Sequence, residues 1–335
     1  HNINMKYLLG IESSCDETAA AILAPSGEIL SNIVFSQSSI HNKTGGVVPE
    51  IASKNHSEKV HLIINEALIK ANVKLNEIAQ IFVSNGPGLT NCLMIGVIAA
   101  KALGSLIKIP VHPVNHIEGH IASCFIENKV IFPSLCLVAS GGHSSIYYLE
   151  DEVNFSIIGS TIDDAAGEAF DKGAKLMGLG YPGGIEIDKL AKEGDENFHK
   201  FPIAKLDKNS FNFSFSGIKT SLRYFLEKNP NWKNNVHSIA ASYQESIVDS
   251  LLQQLIKARE KFEPKSILIS GGVACNSRLR EKAQKSFIDS TNLIIPTPKL
   301  CTDNAAMIAM RGIQLKRKDN RNYSFGVYST SRKIS

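Results

Sequence analysis

No two cysteines in this chain are spaced CxxC. The six present, Cys15, Cys92, Cys124, Cys136, Cys275 and Cys301, are scattered over 335 residues. That distribution fits neither a disulfide framework nor a cysteine zinc cage, and it points to a reducing cytoplasm. Proline is scarce, at 12 residues beside 24 glycines, and neither charge sign dominates, since 36 Lys plus Arg stand against 32 Asp plus Glu. Collagen-like, coiled-coil and largely disordered classes are thereby excluded, and a soluble protein is the default. Long apolar runs are also missing: residues 93–107 are interrupted by Lys101 and carry Gly96 and Gly104, short of the roughly 20 apolar residues of a spanning helix. No membrane segment is expected. The N-terminus lacks the basic and apolar regions of a secretory leader; residues 1–4 read as an appended remnant ahead of a native start at Met5. The GxxxxGK[ST] loop and the GxSxG elbow are absent as well, which removes P-loop ATPase and α/β-hydrolase chemistry.

The length suits two domains, at roughly 100 to 200 residues each. Apolar periodicity predicts strands at 7–12, 19–24 and 28–37, a helix at 49–73, a strand at 78–84, a helix at 89–107 and a strand at 109–114. The grammar then repeats. Strands at 135–140, 145–150 and 155–162 precede helices near 165–177 and 184–193, a long helix at 236–262, a strand at 266–270, a helix at 276–287, a strand at 292–295 and a last helix at 302–318. Three hairpin-forming strands followed by alternating helices and strands, occurring twice, predict an α/β protein of two lobes with mixed sheets and a cleft between them.

The sharpest local signal is His116-Ile117-Glu118-Gly119-His120. Two histidines four apart share one helical face, so both imidazoles can reach one metal ion; two surface or capping histidines are the plain alternative. A zincin peptidase would place its glutamate directly after the first histidine, whereas Glu118 comes two positions on and is turned about 200° away. Asp303 is one candidate for a third, oxygen ligand, against the simpler role of an N-cap. Three small-residue turns, at 12–18, 140–144 and 270–276, offer backbone N–H groups to phosphate or nucleotide. Singly each is more often only a turn, but they recur at strand ends of both lobes. Arg311, Lys316, Arg317, Lys318, Arg321, Arg332 and Lys333 could touch nucleic-acid phosphates, although a solvated helix end and tail explains them as simply.

These segments, in this order, resemble the tRNA adenosine threonylcarbamoyltransferase (TsaD) family. The resemblance rests on Gly10-Ile11-Glu12-Ser13-Ser14-Cys15-Asp16-Glu17-Thr18, Gly45-Gly46-Val47-Val48-Pro49-Glu50, His112 to His120, and Asp163 to Lys172. It extends to Tyr181-Pro182-Gly183-Gly184, Phe213 to Gly217, Ser270 to Asn276, and Cys301 to Ala306. It implies two ribonuclease-H-like lobes of the actin, sugar-kinase and Hsp70-like (ASKHA) fold, here expected at residues 5–112 and 113–335, with the C-terminal helix and tail packing back on the first. It implies transfer of threonylcarbamoyl from L-threonylcarbamoyl-adenylate to N6 of the adenine 3′ of the anticodon, position 37, in tRNAs reading codons that begin with A, with release of AMP.

Position by position, the resemblance makes His116, His120 and Asp303 ligands of one divalent transition metal, Fe2+ favoured and Zn2+ the alternative. Val138, Ala139, Ser140, Gly141, Gly142, Asp171, Gly184, Asp188 and Asn276 line the adenylate site, with the 140–142 amides on its phosphate. Asp16 and Glu17 match acidic positions important for activity and are expected to orient the incoming amine or take its proton. The implied partners are tRNA, TsaB as dimer partner, the ATPase TsaE, and TsaC as source of the adenylate, with the helices between 49 and 107 as partner surface. The competing readings are an ATP-dependent small-molecule kinase or carbamoyltransferase of the same fold, a metallopeptidase, and a non-catalytic nucleotide-binding scaffold.

Overall fold

The computed structural model describes residues 6–288, 292–316 and 323–330. The expected N-terminal remnant, Met5 and the basic residues Arg317, Lys318, Arg321, Arg332 and Lys333 lie outside them. The described residues divide into two compact units. The first comprises the chain up to Asn128 together with the segment from Thr302 onward, and the second runs from Lys129 to Cys301.

The first unit opens with β1 (Tyr7–Glu12), β2 (Glu17–Leu23) and β3 (Ile29–Ser36), then a short helix α1 (Ser38–His41) and the long α2 (Pro49–Ala71). β4 (Ile78–Gly86), α3 (Thr90–Ile107), β5 (Val111–Asn115) and α4 (His116–Ser123) follow. The sheet order is β3-β2-β1-β4-β5, with β1, β2 and β3 antiparallel and β4 and β5 joined in parallel. Side chains alternate across a strand. Leu9 and Ile11 therefore enter one core with Ile63 and Ile64 of α2 and Val97 of α3, while Gly10 faces the other side. A Cβ at Gly10 would lie 2.2 Å from the carbonyl oxygen of Ala305, so its bare backbone lets a C-terminal helix lie against the strand. Covering both faces explains why β1 and β2 read as almost unbroken apolar runs.

The second unit contains β6 (Ser134–Ala139), β7 (Ser144–Leu149), β8 (Phe155–Ser160), α5 (Ala166–Leu176), α6 (Gly183–Ala191), α7 (Ser216–Lys228) and α8 (Val236–Phe262). It is completed by β9 (Ser266–Ser270), α9 (Ser277–Ser286), β10 (Asn292–Ile294) and α10 (Pro298–Cys301). Its sheet order, β10-β9-β6-β7-β8, is that of the first sheet. Its core joins Leu135, Leu137 and Ile146 with Phe170 and with Tyr243, Ile247 and Leu251 of α8. The last helix, α11 (Ala305–Gln314), belongs to the first unit, where it packs on α4 and β1.

Four differences from the sequence reading have physical causes. The boundary expected after residue 112 falls inside β5, whose Val111 to Asn115 pair with β4; the chain passes to the second unit only after α4. The final helix starts at Ala305, three residues later than expected, because the Asn304 side chain accepts the Met307 N–H at 3.1 Å and caps it. Helix α7 went unread, although Ile218, Leu222 and Leu226, buried at every fourth position, carry its period. Helix α3 is long and apolar enough to cross a membrane by length and composition. Its Cys92, Leu93, Gly96, Val97, Ala100 and Gly104 stripe is nevertheless buried in the first unit, as in the core helix of a folded domain.

Candidate functional site

Strand β5 ends in Asn115, whose side-chain oxygen accepts the N–H groups of Ile117 at 2.8 Å and Glu118 at 3.1 Å. This cap starts α4 at His116 and puts His116 and His120 one turn apart on a buried face, with ring centroids 4.7 Å apart. Because Asn304 takes the capping role at α11, Asp303 does not serve as N-cap. Its Oδ1 lies 3.1 Å from His120 Nε2 and 3.6 Å from His116 Nε2. The three residues offer ligand atoms all within 4.8 Å of one another.

The donor set fits a divalent metal. Among the described residues neither ring nitrogen of the buried His120 makes a hydrogen bond, although Nε2 lies 3.1 Å from Asp303 Oδ1, a costly arrangement unless a lone pair is used in coordination. His116 donates its Nδ1–H to Glu12 Oε2 at 3.0 Å, which fixes the tautomer and leaves Nε2 turned to Asp303. Burial opposes protonation of His116, but the Glu12 and Asp303 carboxylates outweigh it and raise its pKa from 6.5 to about 9. Glu12 is fully buried at the end of β1 and also accepts the Ser14 N–H at 2.5 Å. Sequence reasoning gave it no role. The available signal was a carboxylate closing an otherwise apolar strand. Glu118 is held elsewhere, accepting from Arg311 Nε at 2.8 Å, so neither residue is available for peptidase chemistry or phosphate contact.

The acidic turn between β1 and β2 belongs to the same unit. Asp16 is buried and Glu17 is half-buried. Burial, with the nearby charges of Asp16 and Asp303, raises the Glu17 pKa well above the carboxylate range and favours its protonated form. Ser36 donates its hydroxyl to Glu17 at 3.1 Å. From α2, His56 donates Nε2–H to the Cys15 carbonyl at 2.9 Å and accepts the Thr18 hydroxyl at 2.7 Å on Nδ1, so it clasps the turn from both sides. Burial lowers the pKa of His56, in keeping with that neutral tautomer. Burial and the neighbouring carboxylates raise the thiol of Cys15, which rules it out as a thiolate nucleophile.

In the second unit, β6 pairs with β9 in parallel, so Val138 and Ala139 deliver the 140–142 turn beside the 270–276 turn. Gly271 holds a φ of +89°, and a Cβ there would lie 2.3 Å from the Ala139 carbonyl oxygen, so only glycine lets the two turns approach this closely. The Ser140 N–H donates to the His143 carbonyl at 2.7 Å. The amides left for an anion are therefore those of Gly141 and Gly142, two rather than the three expected. Asp171 on α5 accepts the Gly183 N–H at 2.7 Å and sets the start of α6, where Gly184 lies. Asp188 accepts the Ser277 hydroxyl at 2.7 Å, which links α6 to α9. Asn276 caps α9 through Leu279 N–H at 2.9 Å and donates to Gln244 at 2.6 Å. The residues expected for the adenylate thus all lie in the second unit, Val138 to Gly142, Gly184 and Asn276 at strand ends and helix starts and Asp171 and Asp188 within α5 and α6.

Two sheets of identical order, each with three antiparallel and two parallel strands, define an ASKHA-like protein with a His2Asp group in its first unit. Solved structures agree on the fold. Component A of (R)-2-hydroxyglutaryl-CoA dehydratase from Acidaminococcus fermentans matches with a TM-score of 0.54 at 15% identity, over 92% of this chain and 99% of that one. Full-length HypF in its phosphate- and nucleotide-bound form matches with a TM-score of 0.61 at 13% identity, over 92% of this chain and 46% of that one. A sequence model described as TsaD, tRNA N6-adenosine threonylcarbamoyltransferase, matches residues 28–310. The protein of that name from Syntrophus aciditrophicus is 49% identical over 93% of each chain. That of Bacillus subtilis is 47% identical over 91% of this chain and 89% of its own. The chain belongs to the tRNA N6-adenosine threonylcarbamoyltransferase (TsaD) family.

Proposed function

We propose that this chain transfers the threonylcarbamoyl group of L-threonylcarbamoyl-adenylate to N6 of adenine 37 in tRNAs reading codons that begin with A. The N–C bond forms as the bond from carbonyl carbon to phosphate oxygen breaks, and AMP leaves. The observation that carries the reading is the convergence of His116, His120 and Asp303 in a member of this family. These residues would hold a divalent ion, Fe2+ favoured and Zn2+ the alternative, which supplies Lewis-acid polarisation of the acyl donor. Glu12 keeps His116 in the tautomer that binding requires.

The chain's own groups do the rest. An exocyclic adenine amine is a weak nucleophile and sheds a proton as it adds to the carbonyl. Asp16 accepts that proton, and Glu17, held toward its protonated form, orients the amine by donating a hydrogen bond. Gly141 and Gly142 amides stabilise the negative charge growing on the departing phosphate. Val138, Ala139 and Ser140 shape that turn, while Asp171, Gly184, Asp188 and Asn276 bind the nucleoside part. TsaB docks on α2 and α3, whose Leu62, Ile69, Met94, Ile98 and Leu106 are exposed apolar residues; TsaE and TsaC serve as ATPase and adenylate source. The reaction takes place in the cytoplasm, where tRNA is found.

The test supplies purified metal-loaded chain and partners with preformed adenylate and unmodified tRNA, and reads nucleosides by mass spectrometry. Threonylcarbamoyl-adenosine at position 37 is expected. Its absence, or its formation at an undiminished rate by His116→Ala, would overturn the reading.

A further inference from the structure

Outside the residues given roles above, the second unit carries a basic groove of about 310 Å³ between α5 and α7, lined by Lys172, Lys175, Leu176, Lys219, Thr220 and Arg223. No carboxylate is among its lining residues. Lys172 and Lys175 are one turn apart on α5, and Lys219 and Arg223 one turn apart on α7, so each helix presents two cations to the same trough. The dipeptide Asp163-Asp164 fixes this geometry from behind. Asp163 accepts the N–H groups of Phe215 at 2.8 Å and Ser216 at 3.3 Å and starts α7. Asp164 lies between Lys172 at 2.8 Å and Lys219 at 2.9 Å, tying the helices together.

Both lysines remain partly exposed, at 39% and 29%. Glu168, 2.7 Å from Lys172, and Glu227, 3.7 Å from Arg223, are more open to solvent, at 42% and 61%, so these two pairs are solvent-screened. Lys175 is exposed and makes no ion pair among the described residues. The Arg223 guanidinium lies 5.1 Å from the ring centre of Tyr224, itself half-exposed. Four cations at fixed spacing, outnumbering the three carboxylates paired with them and including the unpaired Lys175, suit a sugar-phosphate backbone.

We infer that the α5–α7 groove binds phosphodiester groups of the tRNA, with Lys175 and Arg223 as the outer contacts and Lys172 and Lys219 as the fixed inner ones. This rests on the transfer reaction proposed above, which requires an RNA of many phosphates to be held while one adenine is modified. Such contacts position the RNA without reading its sequence.

The test measures tRNA binding directly, by filter retention of labelled unmodified tRNA on the full chain with its partners, from 50 to 200 mM salt. Lys175→Gln with Arg223→Gln is expected to weaken binding on the order of tenfold and to lower the slope of log K against log salt by about 1 for each side chain. Lys175→Arg with Arg223→Lys should bind like wild type. A charge-matched pair elsewhere on the unit, Lys208→Gln with Lys233→Gln, should also bind like wild type. Unchanged affinity and slope in the groove variant, or equal weakening in the distant pair, would overturn the inference. Because binding is read without turnover, failure of the wild type to modify tRNA would count against the reaction alone.

Discussion

Replacing Glu12 by Gln keeps the shape of a buried side chain and removes the charge that holds a proton on His116. In the metal-free protein His116 has a pKa of about 9 against an ordinary 6.5. A folded-state pKa raised by that interval contributes about 3 kcal/mol to stability, at 1.36 kcal/mol per unit. The contribution is fully present below pH 6.5, shrinks as pH rises, and is gone above about pH 9. Metal-free wild type should therefore lose stability by about 1.4 kcal/mol per pH unit across that window from this group alone. In the Glu12→Gln variant only the weaker pull of Asp303 remains and most of the slope should disappear. Urea unfolding of both proteins after chelation, at half-unit steps from pH 6 to 9.5, measures the difference. Parallel curves for the two proteins would refute the argument that Glu12 sets the protonation of His116.

Asp303→Asn keeps the volume of the side chain but removes the carboxylate of the His116–His120–Asp303 group; bound divalent metal per chain, read by plasma emission after dialysis, should fall from about one to near zero. Asp16→Asn should slow transfer from preformed adenylate by about 10² to 10⁴ in single-turnover assays, as expected for loss of a general base; a wild-type rate would remove Asp16 from that role. Gly10→Ala would put a Cβ 2.2 Å from the Ala305 carbonyl oxygen and must displace α11. A loss of about 1 to 3 kcal/mol by denaturant titration is expected, together with weaker metal binding, because Asp303 precedes that helix.

The duplicated grammar of the two units was legible because buried strands and amphipathic helices keep their periods. Helix α8 falls at Val236–Phe262 and β9 at Ser266–Ser270, as apolar spacing predicts. Strand order was not legible, since pairing between β1 and β4 is decided by contacts no local period encodes. Local capping also escaped: Asp303 and Asn304 are both good N-caps in sequence, and only the packed structure shows that Asn304 takes the role. The His116–His120 pair could be read from its spacing. Its supports, Glu12 behind His116 and His56 around the acidic turn, could not, because each reaches its partner across the fold. Arg311 shows the opposite error, a cation that looks like part of a basic tail but is buried against Glu118.

The return of α11 to the first unit sets an order of events during synthesis. The carboxylate that completes the His116–His120 pair leaves the ribosome only after every residue of the second unit has done so, whereas residues 129–301 form an uninterrupted stretch that can begin to fold as it emerges. Until then the first sheet lacks the helix that covers Gly10, and two imidazoles wait without their acid. Completion of the His116–His120–Asp303 group is thereby deferred to the end of translation, and a chain truncated directly after Cys301 would carry the whole second unit but lack Asp303.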